Sequence, residues 1–182
     1  DESPDEPDKP DTALEIIKVE AGTDTRLSGA VFEIKGPDGD VIGSFSTDAN
    51  GRILVPLKKS GTYVVTEITP PKDHLLPANP TQTVTVSYGE TATVTFENAP
   101  YGNLRVEKIS DTGDTLEGVT VQVKHIESGT TYSQQTGPGG AVVFEQLKPG
   151  AYEVVELAGI PGWKADTDTV KTITVTTGET SV

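Results

Sequence analysis

The chain has 182 residues, 34% of them hydrophobic and only 5% aromatic, a supply that suits two small cores better than one large one. Its 28 acidic residues against 14 basic ones give a net charge of −14, which argues against binding phosphate backbones or anionic membrane surfaces through a general positive field. There is no cysteine, so disulfides and thiolate chemistry are excluded, and any covalent reinforcement must come from other side chains.

In chain order, residues 1–12 hold three prolines and six acids with no large apolar side chain, and are expected to form an extended acidic linker. After them come short runs of Val, Ile, Thr and Tyr separated by Gly, Pro, Asp and Asn, at 14–19, 30–35, 62–69, 81–87 and 91–97. No segment keeps a 3.6-residue apolar period or reaches the length of a membrane-spanning helix, and no signal peptide opens the chain. The expected class is all-β, within a mature fragment.

The text also repeats. Leu27-Ser-Gly29 recurs as Leu116-Glu-Gly118, Gly51 as Gly140, Gly61-Thr-Tyr63 as Gly150-Ala-Tyr152 and Gly89 as Gly178, each displaced by 89 positions. Lys18 and Lys108 are displaced by 90, which places a one-residue difference in the turn that follows them. Two tandem β-sandwich modules are expected, at 13–100 and 101–182, strung end to end through a very short linker.

Strand side chains alternate between faces, so residues two apart share one. Leu14, Ile16 and Lys18 share a face, as do Tyr63, Val65 and Glu67, and Val94, Phe96 and Asn98. A lysine, a glutamate and an asparagine thus continue three apolar stripes of one module. Burial disfavours charge on both ionisable groups, lowering a lysine pKa and raising a glutamate pKa. A neutral amine is a nucleophile, and a protonated carboxyl can polarise a carbonyl and carry protons. Attack of Lys18 on the Asn98 side-chain carbonyl, with Glu67 as catalyst and ammonia leaving, would give an amide cross-link. On phase alone a plain Lys/Glu salt bridge, or a lysine reaching out to water, accounts for the pattern equally well.

The ordered motifs resemble the Cna B-type, or SpaA-like, domains of Gram-positive surface adhesins and pilins. They are Lys18, Leu27-Ser-Gly-Ala30, Thr47-Asp-Ala-Asn-Gly51, Gly61-Thr-Tyr-Val-Val-Thr-Glu67 with Pro70 and Pro71, and Phe96-Glu-Asn98. The resemblance implies a prealbumin-like, immunoglobulin-like β-sandwich in which Lys18 and Asn98 form a spontaneous isopeptide bond with Glu67 as catalyst. It also implies a structural stalk or spacer at the bacterial cell wall surface, flanked by neighbouring modules of the same surface protein.

Module two matches less completely. Lys108 and Glu156 fit the donor and catalyst positions, but Val119 replaces the alanine and Gly137-Pro-Gly-Gly140 departs from Thr-Asp-x-x-Gly. By the repeat Val182 corresponds to Thr93, so the strand of the acceptor is expected to be missing and the Lys108/Glu156 pair poised but unlinked, unless the parent protein continues or some other Asn or Asp serves.

Rival functions have less to stand on. His74 and His125 occupy non-equivalent places with no ligand cluster, so neither an enzyme acting on external substrates nor a metal site is expected, and no cofactor. Asp38-Gly-Asp40 and Asp111-Thr-Gly-Asp114 read as solvated turns rather than calcium loops. Leu76-Pro-Ala-Asn-Pro80 reads as an interstrand loop. The alternative function is a ligand-binding adhesin module recognising a host or matrix protein or a glycan, for which Trp163 in a Pro-Gly loop is the candidate contact. Nucleic acid and direct membrane insertion are not expected.

Overall fold

A computed structural model describes residues 11–167 and 169–182; residues 1–10, most of the expected linker, lie outside the described residues. Every element in it is a β-strand, and the chain divides between Ala99 and Pro100 into two compact units.

In module one the strands are β1 (Ala13–Glu20), β2 (Val31–Lys35), β3 (Val41–Ser46), β4 (Arg52–Pro56), β5 (Gly61–Thr69), β6 (Thr81–Val86) and β7 (Thr91–Asn98). They form a three-stranded sheet of order β4-β1-β7 and a four-stranded sheet of order β3-β2-β5-β6. Each sheet turns its apolar alternate residues inward. Leu14, Ile16 and Phe96 come from the first sheet, and Phe32, Ile34, Tyr63 and Val65 from the second. The rings of Phe32 and Phe96 meet across the interface with centroids 4.8 Å apart. Burial of each such side chain contributes about 1.5 to 3 kcal/mol.

The first and last strands are neighbours and run parallel, in register from Ala13↔Thr91 to Glu20↔Asn98. Module one also starts earlier than the sequence suggests. Thr12 is buried; its carbonyl accepts from Leu57 N–H at 2.8 Å and its hydroxyl from Gly89 N–H at 2.8 Å, so it belongs to the sandwich rather than to the linker.

Module two repeats the plan with β8 (Gly102–Glu107), β9 (Thr120–His125), β10 (Thr131–Gln135), β11 (Ala141–Leu147), β12 (Gly150–Ala158), β13 (Lys171–Val175) and β14 (Thr180–Ser181), in sheets β10-β9-β12-β13 and β11-β8-β14. Its core gathers Leu104, Val121, Val123, Phe144 and Tyr152. The repeat is structural down to single bonds. Thr47 Oγ1 accepts from Ala30 N–H and donates to Leu27 O, and Thr136 does the same between Val119 and Leu116. The bridges Val19↔Arg26 and Ile109↔Thr115 close the two first turns, and the one-residue difference lies inside them.

The final strand of module two is begun rather than wholly missing. Thr180 and Ser181 pair with Asn103 and Leu104 in the parallel register that Thr91 and Ala92 keep in module one. Among the described residues nothing pairs with Arg105, Val106 and Glu107 on that side of β8.

Candidate cross-linking site

The backbone around Lys18 is clamped by two loops. Its N–H donates to Gly51 O at 2.8 Å, and its carbonyl accepts from Leu27 N–H at 3.0 Å. Gly51 has φ 64°, and a Cβ there would stand 2.7 Å from Lys18 O, so glycine is what lets the loop approach β1 so closely. Glu67 sits on β5 beside a register shift between Val31 and Phe32, a bulge that re-aims the strand at that point. Asn98 ends β7, where its carbonyl is held by Ala21 N–H at 2.9 Å.

The three predicted residues converge in the core. Lys18 is 0% exposed, and Glu67 and Asn98 are each 1% exposed. Lys18 and Asn98 project from adjacent strands of one sheet, and Glu67 reaches them from the other. Asn98 Nδ2 donates to Glu67 Oε1 at 2.8 Å, while Glu67 Oε2 and Asn98 Oδ1 are buried without a partner. Lys18 Nζ donates to the carbonyls of Phe96, at 3.1 Å, and Val19, at 3.2 Å. Those carbonyl contacts place the amine on β7, two residues before Asn98. Among the described residues Lys18 and Glu67 form no ion pair, so the plain salt bridge weighed from the sequence is not what the side chains do.

Burial pushes the Lys18 ammonium down to about 8, against the opposing pull of the Glu67 carboxylate. Burial likewise raises Glu67 above the usual carboxylate range, with Lys18 and the Asn98 hydrogen bond pulling the other way. Both shifts favour uncharged forms, an amine and a carboxylic acid. The two orphaned oxygens are both acceptors, and a protonated Glu67 carries the donor they lack.

Module two keeps the platform with its lysine less deeply buried. Lys108 N–H donates to Gly140 O at 2.7 Å and Lys108 O accepts from Leu116 N–H at 3.1 Å. Its ammonium, with a side chain 27% exposed, pairs with Glu156 Oε2 at 3.0 Å, and Asp166 N–H donates to that same oxygen at 3.2 Å. The pair lines an open groove of about 110 Å³ with Val106, Val121 and Val154. Asn103, the one asparagine of this module in the sequence, lies at the start of β8, where its Oδ1 accepts from Gln146 N–H. It is five residues from Lys108 along the strand, at the far end. Lys108 and Glu156 therefore meet each other and not Asn103, with Asp166 lining the same groove.

The remaining candidates fall elsewhere. Asp38 pairs with Lys59 at 2.5 Å, and Asp114 accepts from Thr112 within its own turn. His125 is buried at the end of β9 against Tyr152, its Nδ1 accepts from Ser128 N–H at 3.2 Å, and its Nε2 has no partner. Trp163 is 37% exposed. Motif reading missed the carbonyls of Val19 and Phe96 as the amine's hydrogen-bond partners, because backbone acceptors leave no trace in side-chain identity.

The SpaA family of prealbumin-like fold domains matches residues 12–100 and again 102–182. Among solved structures the chain is similar to a streptococcal ancillary pilin at 24% identity and a TM-score of 0.55, covering 96% of this chain and 62% of that one. It is also similar to the Bacillus anthracis TIE protein, at 23% identity and a TM-score of 0.50 over 94% of this chain and 32% of that one. The shaft pilin SpaA of Lactobacillus rhamnosus GG aligns at 12% identity and a TM-score of 0.50, over 94% of this chain and 96% of that one. The chain thus spans less than two thirds of the length of the first two. No curated protein matches the sequence.

Proposed function

Because this chain belongs to the SpaA family of prealbumin-like fold domains, we propose that it is a structural stalk or spacer segment of a bacterial surface protein or pilus, its first module locked by a Lys18–Asn98 isopeptide bond. The observation that carries this reading is the burial of Lys18, Glu67 and Asn98 together, with Asn98 bonded to Glu67 and one oxygen of each left unmatched.

The chemistry balances within the protein. The neutral Lys18 Nζ attacks Asn98 Cγ as the carboxyl of Glu67 polarises the carbonyl. One amine proton passes through Glu67 to Nδ2, the Cγ–Nδ2 bond breaks, and ammonia leaves behind a secondary amide. Holding the reactants in one core removes up to about 7 to 11 kcal/mol of barrier that free groups would face. The event happens once per molecule, so the chain is not an enzyme with turnover.

Strand order supports a mechanical role. Pulling on the termini of module one loads β1 at its start and β7 at its end, and shears two parallel neighbours. A Lys18–Asn98 bond would pass the load from residue 18 directly to residue 98 and leave everything between them off the force path. The ring it closes restricts the unfolded chain by about 4 to 5 kcal/mol on the loop-entropy model. Such reinforcement suits a cysteine-free protein exposed to shear at a cell surface, with neighbouring pilus or adhesin modules as its partners. Single-molecule stretching tests the reading: the native module one should not lengthen, whereas Lys18→Ala should release the whole module. Equal lengthening in both would sink the stalk-locking role.

A ligand-binding role would rest on Trp163, partly exposed in its loop. Specific binding to a matrix protein or glycan that Trp163→Ala abolishes would favour that reading instead.

A further inference from the structure

The loop between β5 and β6, residues 70–80, is fastened to the reactive end of module one. Leu75 N–H donates to the carbonyl of Ala99, the residue after Asn98, at 2.8 Å, and Glu67 N–H donates to Pro80 O at 2.9 Å. Between these ties lies His74, its side chain only 11% exposed. Its Nδ1 is 2.7 Å from Lys72 O, and its Nε2 is 3.4 Å from Glu20 Oε1. Glu20 is the register partner of Asn98 across the β1–β7 ladder, so the imidazole touches the strand position beside the acceptor.

The bonding fixes the proton on the ring. A carbonyl only accepts, so the contact with Lys72 O requires a proton on Nδ1, which leaves Nε2 of the neutral ring bare. A bare nitrogen facing a carboxylate sets two acceptors against each other, and 3.4 Å is near the outer limit of a hydrogen bond. A second proton turns that contact into a charge-assisted bond.

We infer that His74 is a positioning residue for the Lys18–Asn98 reaction, a proton-dependent clasp that ties the 70–80 loop to β1 and keeps the reacting groups out of water. The inference rests on the cross-link reading. Module two offers a contrast within the same chain. By the repeat Trp163 stands where His74 does, and both close the same backbone turn, onto Ile160 O and Pro71 O. Trp163 offers a carboxylate no second proton, and the Lys108/Glu156 pair of that module is partly open to solvent.

The acids facing His74 are Glu20 on β1 and Glu67 on β5, Lys72 and Asp73 are its charged neighbours in the loop, and Lys18 is the cation of the site. An imidazolium by itself would hold Glu67 ionised and slow the reaction. Glu20 is the carboxylate in contact, and it offsets that charge.

The test uses the full chain, held unfolded in denaturant from synthesis onward and then diluted into buffers from roughly pH 5.5 to 8.5, the range in which histidines change charge. Intact mass followed over time reads the loss of ammonia. His74→Ala is expected to cross-link about two- to fivefold more slowly than the native chain at the acid end and at the same rate at the alkaline end. The ratio cancels the titration of Lys18, and loss of the imidazolium's pull on Glu67 would by itself speed His74→Ala at the acid end, opposite to the loss expected. Glu20→Gln should reproduce the acid-side loss, and His74→Gln, which keeps size and polarity without titrating, should hold a ratio to His74→Ala that does not vary with pH. Equal rates at every pH, or a His74→Ala ratio constant with pH, would overturn the clasp while leaving the cross-link standing. A native chain that never loses ammonia would overturn the cross-link itself.

Discussion

Asn98 donates its side-chain amide to Glu67 at 2.8 Å, and the remaining oxygen of each is buried with no donor. A pair that satisfied only stability would not leave two acceptors stranded in an apolar core, since each such group costs about 1 to 3 kcal/mol. The proposed cross-link accounts for that cost, with Asn98 as acceptor and Glu67 as proton carrier.

Intact native protein should weigh less than its sequence by one ammonia. Lys18→Ala, Asn98→Ala and Glu67→Ala should each restore the full mass. Lys18→Ala should also lower resistance to heat and protease, by about 4 to 5 kcal/mol of lost ring constraint. Mass spectrometry of the native chain decides this directly, and full mass in the folded native protein refutes the bond.

The unlinked Asn98→Ala chain should show an alkaline stability rise that the native chain lacks. Between about 8 and 10.5 the unfolded state keeps the Lys18 proton and the folded state has shed it. The unfolded state then binds more protons, so stability climbs with pH through that window, by about 3 kcal/mol in all. In the linked protein Lys18 is an amide and does not titrate. Denaturant melts of both chains across this window check the difference.

Gly51→Ala should disturb the reaction from a distance. The new Cβ meets Lys18 O at 2.7 Å in a left-handed backbone, so the loop must retreat from β1. A loss of about 2 kcal/mol is expected. Cross-linking should slow as well, because the lysine backbone loses its clamp, and this is readable as a lasting fraction of full-mass protein.

Gly150→Ala should destabilise module two more than module one. Its Cβ would stand 2.5 Å from His125 Nε2, where the ring is wedged against Tyr152. Hydrogen exchange should show faster opening in residues 102–182 with protection in residues 13–98 unchanged.

Module two should stay unlinked by itself, with Lys108 and Glu156 held as an ordinary ion pair. A peptide built on the pattern of residues 91–98 could pair with Arg105, Val106 and Glu107 and bring an asparagine to the groove. A covalent adduct lost in Lys108→Ala is the expected result, and no adduct after folding together would show that the pair is not poised.

The strand phase of Leu14-x-Ile16-x-Lys18, Tyr63-x-Val65-x-Glu67 and Val94-x-Phe96-x-Asn98 was legible because a two-residue period forces every second side chain to one face. The repeat was legible too, since turn glycines recur at a fixed offset, and the structure adds the matching Thr47 and Thr136 hydroxyls. Sequence by itself therefore determined the class, the two modules and the inward turn of Lys18, Glu67 and Asn98. It could not decide how deep they lie. Lys18 and Lys108 occupy the same stripe, yet Lys18 is wholly buried beside a β7 that runs the length of β1, whereas the Lys108 side chain is partly exposed. Nor could it place Thr12 in the sandwich or His125 in a core, since each depends on partners far away in the chain. Tertiary structure decided burial, and burial is what sets the Lys18/Glu67/Asn98 arrangement apart from the salt bridge of Lys108 and Glu156.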